Sequence, residues 1–256
     1  MGATVSWIST TPVKALALAQ LTEVELLERG PRGDRCFFLV DTSNRLVNNK
    51  GTRGPLQLIH ATYEEAAARL TLRFPDGTTV DGDTVAGDEL TTNFHRRPRA
   101  ARRVAGPWDE ALSETVGESL RLVAADVGAD RGRGGAATLL GEGSLGAIAG
   151  VLAVDRVDCR RFRMNFGIDG IEAHEEDGWI GRRIQVGEAV VVPQGNVGRC
   201  AITTQNPDTG QVDLDTLQAL AAYRGEVETT EPLPLGIHAA VAQPGRVRLG
   251  DAILPL

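Results

Sequence analysis

Gly198-Arg199-Cys200-Ala201-Ile202-Thr203-Thr204-Gln205-Asn206-Pro207-Asp208-Thr209-Gly210 sets one cysteine directly after a basic residue and ahead of a Pro-Asp-Thr-Gly turn. A cysteine binds metal or attacks an electrophile only as its thiolate, and an adjacent cation such as Arg199 lowers the cost of that ionisation. The stretch therefore reads as a metal-thiolate site centred on Cys200. The uncharged run before it, Ala189-Val190-Val191-Val192, is rich in β-branched residues. It predicts a buried strand with the thiol on the loop beyond.

Outward from this site the chain reads as mixed α/β and mainly β. Short β-rich runs separated by turn residues fill its first part, at Thr4 to Ser9, Leu21 to Leu27, Cys36 to Asp41, Leu46 to Asn48 and Thr78 to Val85, a barrel-like pattern. Tyr63 to Leu70 is made of helix formers, whereas Leu70-Thr71-Leu72-Arg73-Phe74 alternates as a strand does. The run Arg96-Arg97-Pro98-Arg99-Ala100-Ala101-Arg102-Arg103 is the most basic in the chain and reads as a solvated linker at a domain junction. Beyond it, Pro107-Trp108-Asp109-Glu110 opens a helix through Val116, with Gly117 at its end. Strands follow at Leu120 to Ala124 and Ala137 to Leu140. Ser144 is placed as the cap of a helix through Leu152, and a last helix spans Leu214 to Tyr223. The tail from His238 to Pro255 returns to strand.

Composition is that of an ordinary globular protein, 42% hydrophobic and 24% charged. The net charge of -7 argues against general nucleic-acid binding. Three cysteines, Cys36, Cys159 and Cys200, favour a reducing compartment over a disulfide framework. No signal-like or membrane-spanning run is present in these residues, and the expected location is cytoplasmic. His60, His95, His174 and His238 lack metal-ligand spacing.

The cysteine stretch resembles the MOSC family (molybdenum-cofactor sulfurase C-terminal type domains), in the branch of the amidoxime-reducing components, through the motif Arg-Cys-x-x-Thr-x-x-x-Pro-Asp-Thr-Gly. Arg161-Phe162-Arg163-Met164-Asn165-Phe166 is similar to the family's Arg-Phe-Arg-Pro-Asn, and Glu175-Glu176-Asp177-Gly178-Trp179-Ile180-Gly181 to its acidic-Trp-Gly approach. Thr11-Pro12-Val13-Lys14, Gly33-Asp34-Arg35-Cys36 and Thr52-Arg53-Gly54-Pro55-Leu56 resemble the N-terminal β-barrel domain that precedes MOSC. The resemblance implies two units, an N-terminal β-barrel-like domain over 1-97 and a MOSC β-barrel domain with peripheral helices over 105-256. It also implies a hairpin with strands near Leu58 and Leu70.

The chemistry the resemblance implies is molybdenum oxo transfer on a molybdopterin cofactor, reducing N-hydroxylated small molecules, with Cys200 as the metal ligand. Lys14, Arg35, Arg163 and Arg199 occupy the matched positions for an anionic pterin and its phosphate. Asn165 is assigned to the pterin edge, and Asp208 to the catalytic loop, more as an orienting group than as an acid or base. For Arg35 and Arg163 the plainer reading is a structural salt bridge, and Arg53 is equally suited to bracing the barrel. Ala15, Met164 and Gly198 depart from the family's serine, proline and serine, and Arg131-Gly132-Arg133-Gly134-Gly135-Ala136 replaces an acidic or proline-containing loop. Electrons would come from a separate ferredoxin, cytochrome or flavin reductase type of protein. Two other readings stay open: sulfur transfer or carbon-sulfur cleavage with Cys200 as persulfide carrier or nucleophile, and a molybdopterin carrier.

Overall fold

The structure, a computed structural model, describes residues 2-125 and 132-256. Its largest element is a curled eight-stranded sheet. The strand order is Ile253–Pro255, Ile184–Val186, Ala189–Gly198, Pro234–Gln243, Ala137–Gly141, Phe166–Asp169, Thr4–Thr10 and Ala19–Leu21. Neighbours run antiparallel except Ala137–Gly141 and Phe166–Asp169, which are parallel. A parallel pair needs a long crossover, and helix Glu142–Val151 lies in it. The alternating apolar side chains of this sheet, among them Ile8, Leu139, Phe166, Ile184, Val191 and Ile237, meet in one core.

A second core gathers Val13, Leu56, Ile59, Leu70, Leu72, Trp108, Leu112 and Leu122. Trp108 is fully buried there, and its indole N–H is satisfied by the Leu70 carbonyl at 3.1 Å. Around it stand a five-stranded sheet, ordered Ala86–Phe94, Arg97–Val104, Arg121–Ala125, Phe37–Val40 and Leu46–Val47, and a three-stranded sheet of His60–Glu64, Arg69–Arg73 and Thr79–Asp83. A last small sheet joins Gly245–Arg248 to Glu23–Leu27 and Gly30–Pro31. Three of the four sheets combine strands from both sides of the expected division between 97 and 105.

The structure corrects two local expectations and bears out a third. The basic run is not a linker but strand Arg97–Val104, paired on both sides. Ala101 and Val104 point into the core while Arg102 meets Glu89, its cross-strand partner, and Arg103 meets Asp109. Tyr63 to Leu70 follows the hairpin rather than helix propensity, turning through Glu65–Ala67, because Leu70 and Leu72 are required in the core. Ser144 is no cap: helix Glu142–Val151 starts two residues earlier, and the Ser144 hydroxyl donates to Glu176 at 2.7 Å and accepts from the His174 N–H at 2.8 Å. The last helix, Thr216–Arg224, is capped instead by Asp215, which accepts from the Gln218 N–H. Among the described residues no helix is long and apolar enough to cross a membrane.

Candidate functional site

Strand Ala189–Gly198 is longer than its valine run suggests, and its pairing with Pro234–Gln243 slips at three places, the last between Asn196 and Gly198. Such irregularities bend a strand and re-aim the residues beyond it. Cys200 comes next, opening a tight turn over Ala201–Thr204. Its carbonyl accepts from the Thr203 N–H at 3.1 Å and the Thr203 hydroxyl at 3.0 Å, and that hydroxyl meets Thr216 Oγ1 at 2.6 Å. The backbone is thus pinned to the last helix while the thiol itself is exposed. Cys36 and Cys159 are different thiols. Burial pushes each up to about 11, so both stay protonated at neutral pH.

The Pro207-Asp208-Thr209-Gly210 turn closes on Asn206, whose side chain accepts from the Asp208 N–H at 2.8 Å and whose carbonyl accepts from Gly210. Gly210 has φ +72, and Gly54 from the Thr-Arg-Gly-Pro stretch packs directly against it. A Cβ on Gly54 would lie 2.1 Å from the Gly210 carbonyl oxygen. The two stretches therefore interlock, backbone on backbone, and both glycines are required by the close approach. Beside them, Arg53 grips Glu118 at 2.5 and 2.6 Å, a brace.

A cleft of about 350 Å³ opens at Cys200, and Lys14, Arg35, Arg163, Asn165 and Arg199 line it with the cysteine. Six of the seven residues expected at the site are thus brought together. Asp208 is the exception: its side chain is 69% exposed, outside the cleft, and bonded to Arg160 at 2.8 and 3.0 Å.

Within the cleft wall the six differ in what they do. Arg35 is buried in an ion pair with Asp34 and donates to the Arg163 carbonyl at 2.6 Å. Arg163, in the left-handed region at φ +53, donates to the Leu16 carbonyl at 2.7 Å. Arg199 donates to the Phe162 carbonyl at 2.9 Å, to the Leu235 carbonyl and to Met164 Sδ at 3.1 Å. The methionine that departs from the family's proline is therefore an acceptor for that guanidinium. Gly198, the other departure beside the cysteine, is explained by Pro232, whose carbonyl would stand 2.8 Å from any Cβ there. Lys14 is half-buried with its ammonium 5.8 Å from the Phe94 ring centre. Asn165, 2% exposed, commits its amide inward: it donates to Asp34 and to the Ser9 carbonyl and accepts from the Thr138 hydroxyl at 2.9 Å. It frames the wall rather than offering a free amide edge to a ligand.

Sequence reasoning missed Asp34, Thr138, His95 and Lys50, all of which line the cleft. Asp34 is the hub, accepting from the Thr11 N–H at 2.8 Å, Asn165 at 3.0 Å and Arg35. Its place in Gly33-Asp34-Arg35 was the available signal. Of the substituted loop, Arg131 lies outside the described residues, while Arg133–Gly135 forms a short turn and Gly135 reaches the cleft. Among the described residues no group of three or more His, Cys, Asp or Glu side chains converges to hold a metal ion. The donor set, one exposed sulfur facing several cations and hydroxyls, fits an anionic organic group that brings the remaining metal ligands with it.

These elements define a mainly β protein built around one exposed thiol and a cationic cleft. The MOSC domain pattern matches residues 105–254 and the MOSC N-terminal beta barrel domain pattern residues 2–111. The chain belongs to the MOSC family. It is similar to mitochondrial amidoxime reducing component 2 of Macaca fascicularis, 34% identical over 104 residues that span 38% of this chain and 30% of that protein. It is also similar to molybdenum cofactor sulfurase of Oryza sativa subsp. japonica, 37% identical over 70 residues, 27% of this chain and 8% of that protein. The match thus spans less than a third of the length of either relative. Among solved structures, the YUAD protein from Bacillus subtilis aligns over 99% of this chain and 94% of its own, at 13% identity and a TM-score of 0.49.

Proposed function

We propose that the chain is a molybdenum-cofactor-dependent oxidoreductase that reduces N-hydroxylated or otherwise N-oxygenated small molecules, with Cys200 as the protein's ligand to molybdenum. The observation that carries this reading is the exposed Cys200 thiol opening on a cleft walled by Lys14, Arg35, Arg163 and Arg199. The names of the two relatives, one an amidoxime reducing component and one a molybdenum cofactor sulfurase, support it. When bound, the cofactor supplies two-electron oxo transfer, the overall change being R–NH–OH plus two electrons and two protons to R–NH2 plus water.

The chain's own residues bind and orient. The Cys200 thiolate is a soft donor suited to a metal already held by sulfur, and the Thr203-Thr216 contact keeps its loop from drifting. Lys14 and Arg163 supply positive charge for the phosphate and pterin. Arg35 and Asp34 hold the Arg163 backbone in place. In this reading electrons come from a separate donor of ferredoxin, cytochrome or flavin reductase type. The three free cysteines suit a reducing compartment such as the cytoplasm.

Molybdenum analysis and pterin fluorescence on protein made in a cofactor-competent host test the reading. The expected result is stoichiometric molybdenum and turnover of an amidoxime or hydroxylamine with a reduced artificial donor. Both should be lost in Cys200→Ser and Cys200→Ala, whose fold stays intact. Metal-free protein that mobilises sulfur through Cys200 favours the persulfide or carbon-sulfur lyase reading, to which the rice relative's name lends weight. Bound cofactor without turnover favours a carrier.

A further inference from the structure

The hairpin of strands Ala86–Phe94 and Arg97–Val104 is the most basic piece of a chain whose formal charge is -7. Its arginines are not equivalent. Toward the base, Arg102 is neutralised by Glu89 and Arg103 by Asp109. At the tip, Arg96 and Arg97 are exposed, and no carboxylate among the described residues pairs with either. Arg99 lies 4.4 Å from the centre of the Phe94 ring, the same ring that faces Lys14 of the cleft wall. Exposed Arg45 bridges to Asn93 beside the tip, and exposed Lys50 stands with His95 on the rim of the cleft. A cationic facet thus adjoins the opening at which Cys200 is exposed.

The turn itself points to a use for these side chains. His95 and Arg96 form a two-residue turn with φ +51 and +66, a conformation that Asn-Gly adopts at least cost. The chain carries an imidazole and a guanidinium there instead, against the backbone preference.

We propose that this facet docks the protein that reduces the site, a small acidic one-electron carrier of ferredoxin type. The inference rests on the oxidoreductase reading above. Two reduced carriers are oxidised for each R–NH–OH consumed, two protons are taken up and water leaves. A chain of net charge -7 repels an acidic partner except where its local field is inverted, and the hairpin tip is such a place. Electron-transfer encounters are small and weak, so charge complementarity sets their rate and register. The tip reaches the cleft through His95, so a carrier seated on Arg96, Arg97 and Arg45 sits beside the cofactor's opening.

The test uses molybdenum-loaded protein, a hydroxylamine substrate and two donors, a reduced acidic [2Fe–2S] ferredoxin and reduced methyl viologen. In the Arg96→Glu/Arg97→Glu variant kcat/KM for ferredoxin is expected to fall about tenfold or more at low ionic strength. The gap should narrow as added salt shortens the screening distance to about 8 Å and below. Turnover with viologen should be unchanged, and Arg182→Glu, an exposed arginine beside strand Ile184–Val186, should behave as the unmodified protein. Unchanged ferredoxin kinetics in the double variant would overturn the proposal. So would an equal loss with viologen, which assigns the facet to the substrate or the fold. Viologen turnover with no ferredoxin turnover refutes this donor class. No turnover with either donor on fully loaded protein sinks the oxidoreductase reading instead.

Discussion

Replacing Asp34 by alanine should destabilise the protein by about 4 kcal/mol, because it strips the cleft floor of a buried carboxylate hub. The side chains of Asp34 and Arg35 are each 7% exposed, and their ion pair is joined by the Thr11 N–H at 2.8 Å and the Asn165 amide at 3.0 Å. Breaking a buried pair by removing one partner costs roughly 3–5 kcal/mol, since the remaining ion loses a buried counter-charge. The orphaned Thr11 and Asn165 donors add to this, at about 1–3 kcal/mol each where water does not reach them. Water entering from the cleft offsets part of that, which sets the total near the middle of the first range. For a chain of this size about 2–4 °C of midpoint is lost per kcal/mol, so thermal unfolding of cofactor-free protein, followed by circular dichroism, should shift down by roughly 10 °C. The Asp34→Ala/Arg35→Met double variant should recover several degrees, because it removes the buried guanidinium as well. A single variant that loses less than about 1 kcal/mol, or a double variant no more stable than the single, refutes the reasoning.

Gly54→Ala should cost about 1–3 kcal/mol in urea unfolding, since its Cβ would lie 2.1 Å from the Gly210 carbonyl oxygen and backbone must move; an unchanged midpoint would show that the interlock is loose. One thiol should react quickly with a disulfide reagent at pH 8 and vanish in Cys200→Ser, while the half-buried Cys36 and Cys159 react more slowly until denaturant is added; labelling of either as fast as Cys200 contradicts their raised ionisation. Those two thiols, raised from 9.0 to about 11 by burial, favour the fold fully below pH 9. Their contribution should be lost as pH rises through 11, and a flat stability profile over that window counts against it. His174 runs the other way: burial, then the nearby Arg224 charge, lowers it from 6.5 to about 4. Its contribution is present above pH 6.5 and lost toward pH 4, so His174→Gln should flatten the stability profile between those values, and an equally steep profile in that variant would refute the assignment.

Local pattern was enough for much of the framework. β-branched runs and alternation marked most strands, Gly117 marked the end of helix Trp108–Val116, and the resemblance to the MOSC motifs named Cys200, Lys14, Arg35, Arg163, Asn165 and Arg199, six side chains that line one cleft. What pattern misread has a common cause. Arg96 to Arg103 looks like a solvated linker when read alone, yet Ala101 and Val104 are core residues whose strand is secured by partners on either side. Asp208 shares a motif with Cys200 but the turn carries it out of the cleft to Arg160, seen only when the two segments meet.

The sequence by itself determined a single motif-bound thiol and, through its resemblance to the MOSC family, the arginines and lysine matched to it, because side-chain chemistry and motif order can be read without coordinates. Tertiary structure decided which of them face the cleft and which are held inside. Arg35 is tied to the Arg163 carbonyl and Asn165 to Asp34, Ser9 and Thr138, while Gly54 presses on Gly210, all contacts between segments far apart in the chain. The reason is physical: a buried charge or amide must find its partner wherever the packing brings one, and no local window records where that is.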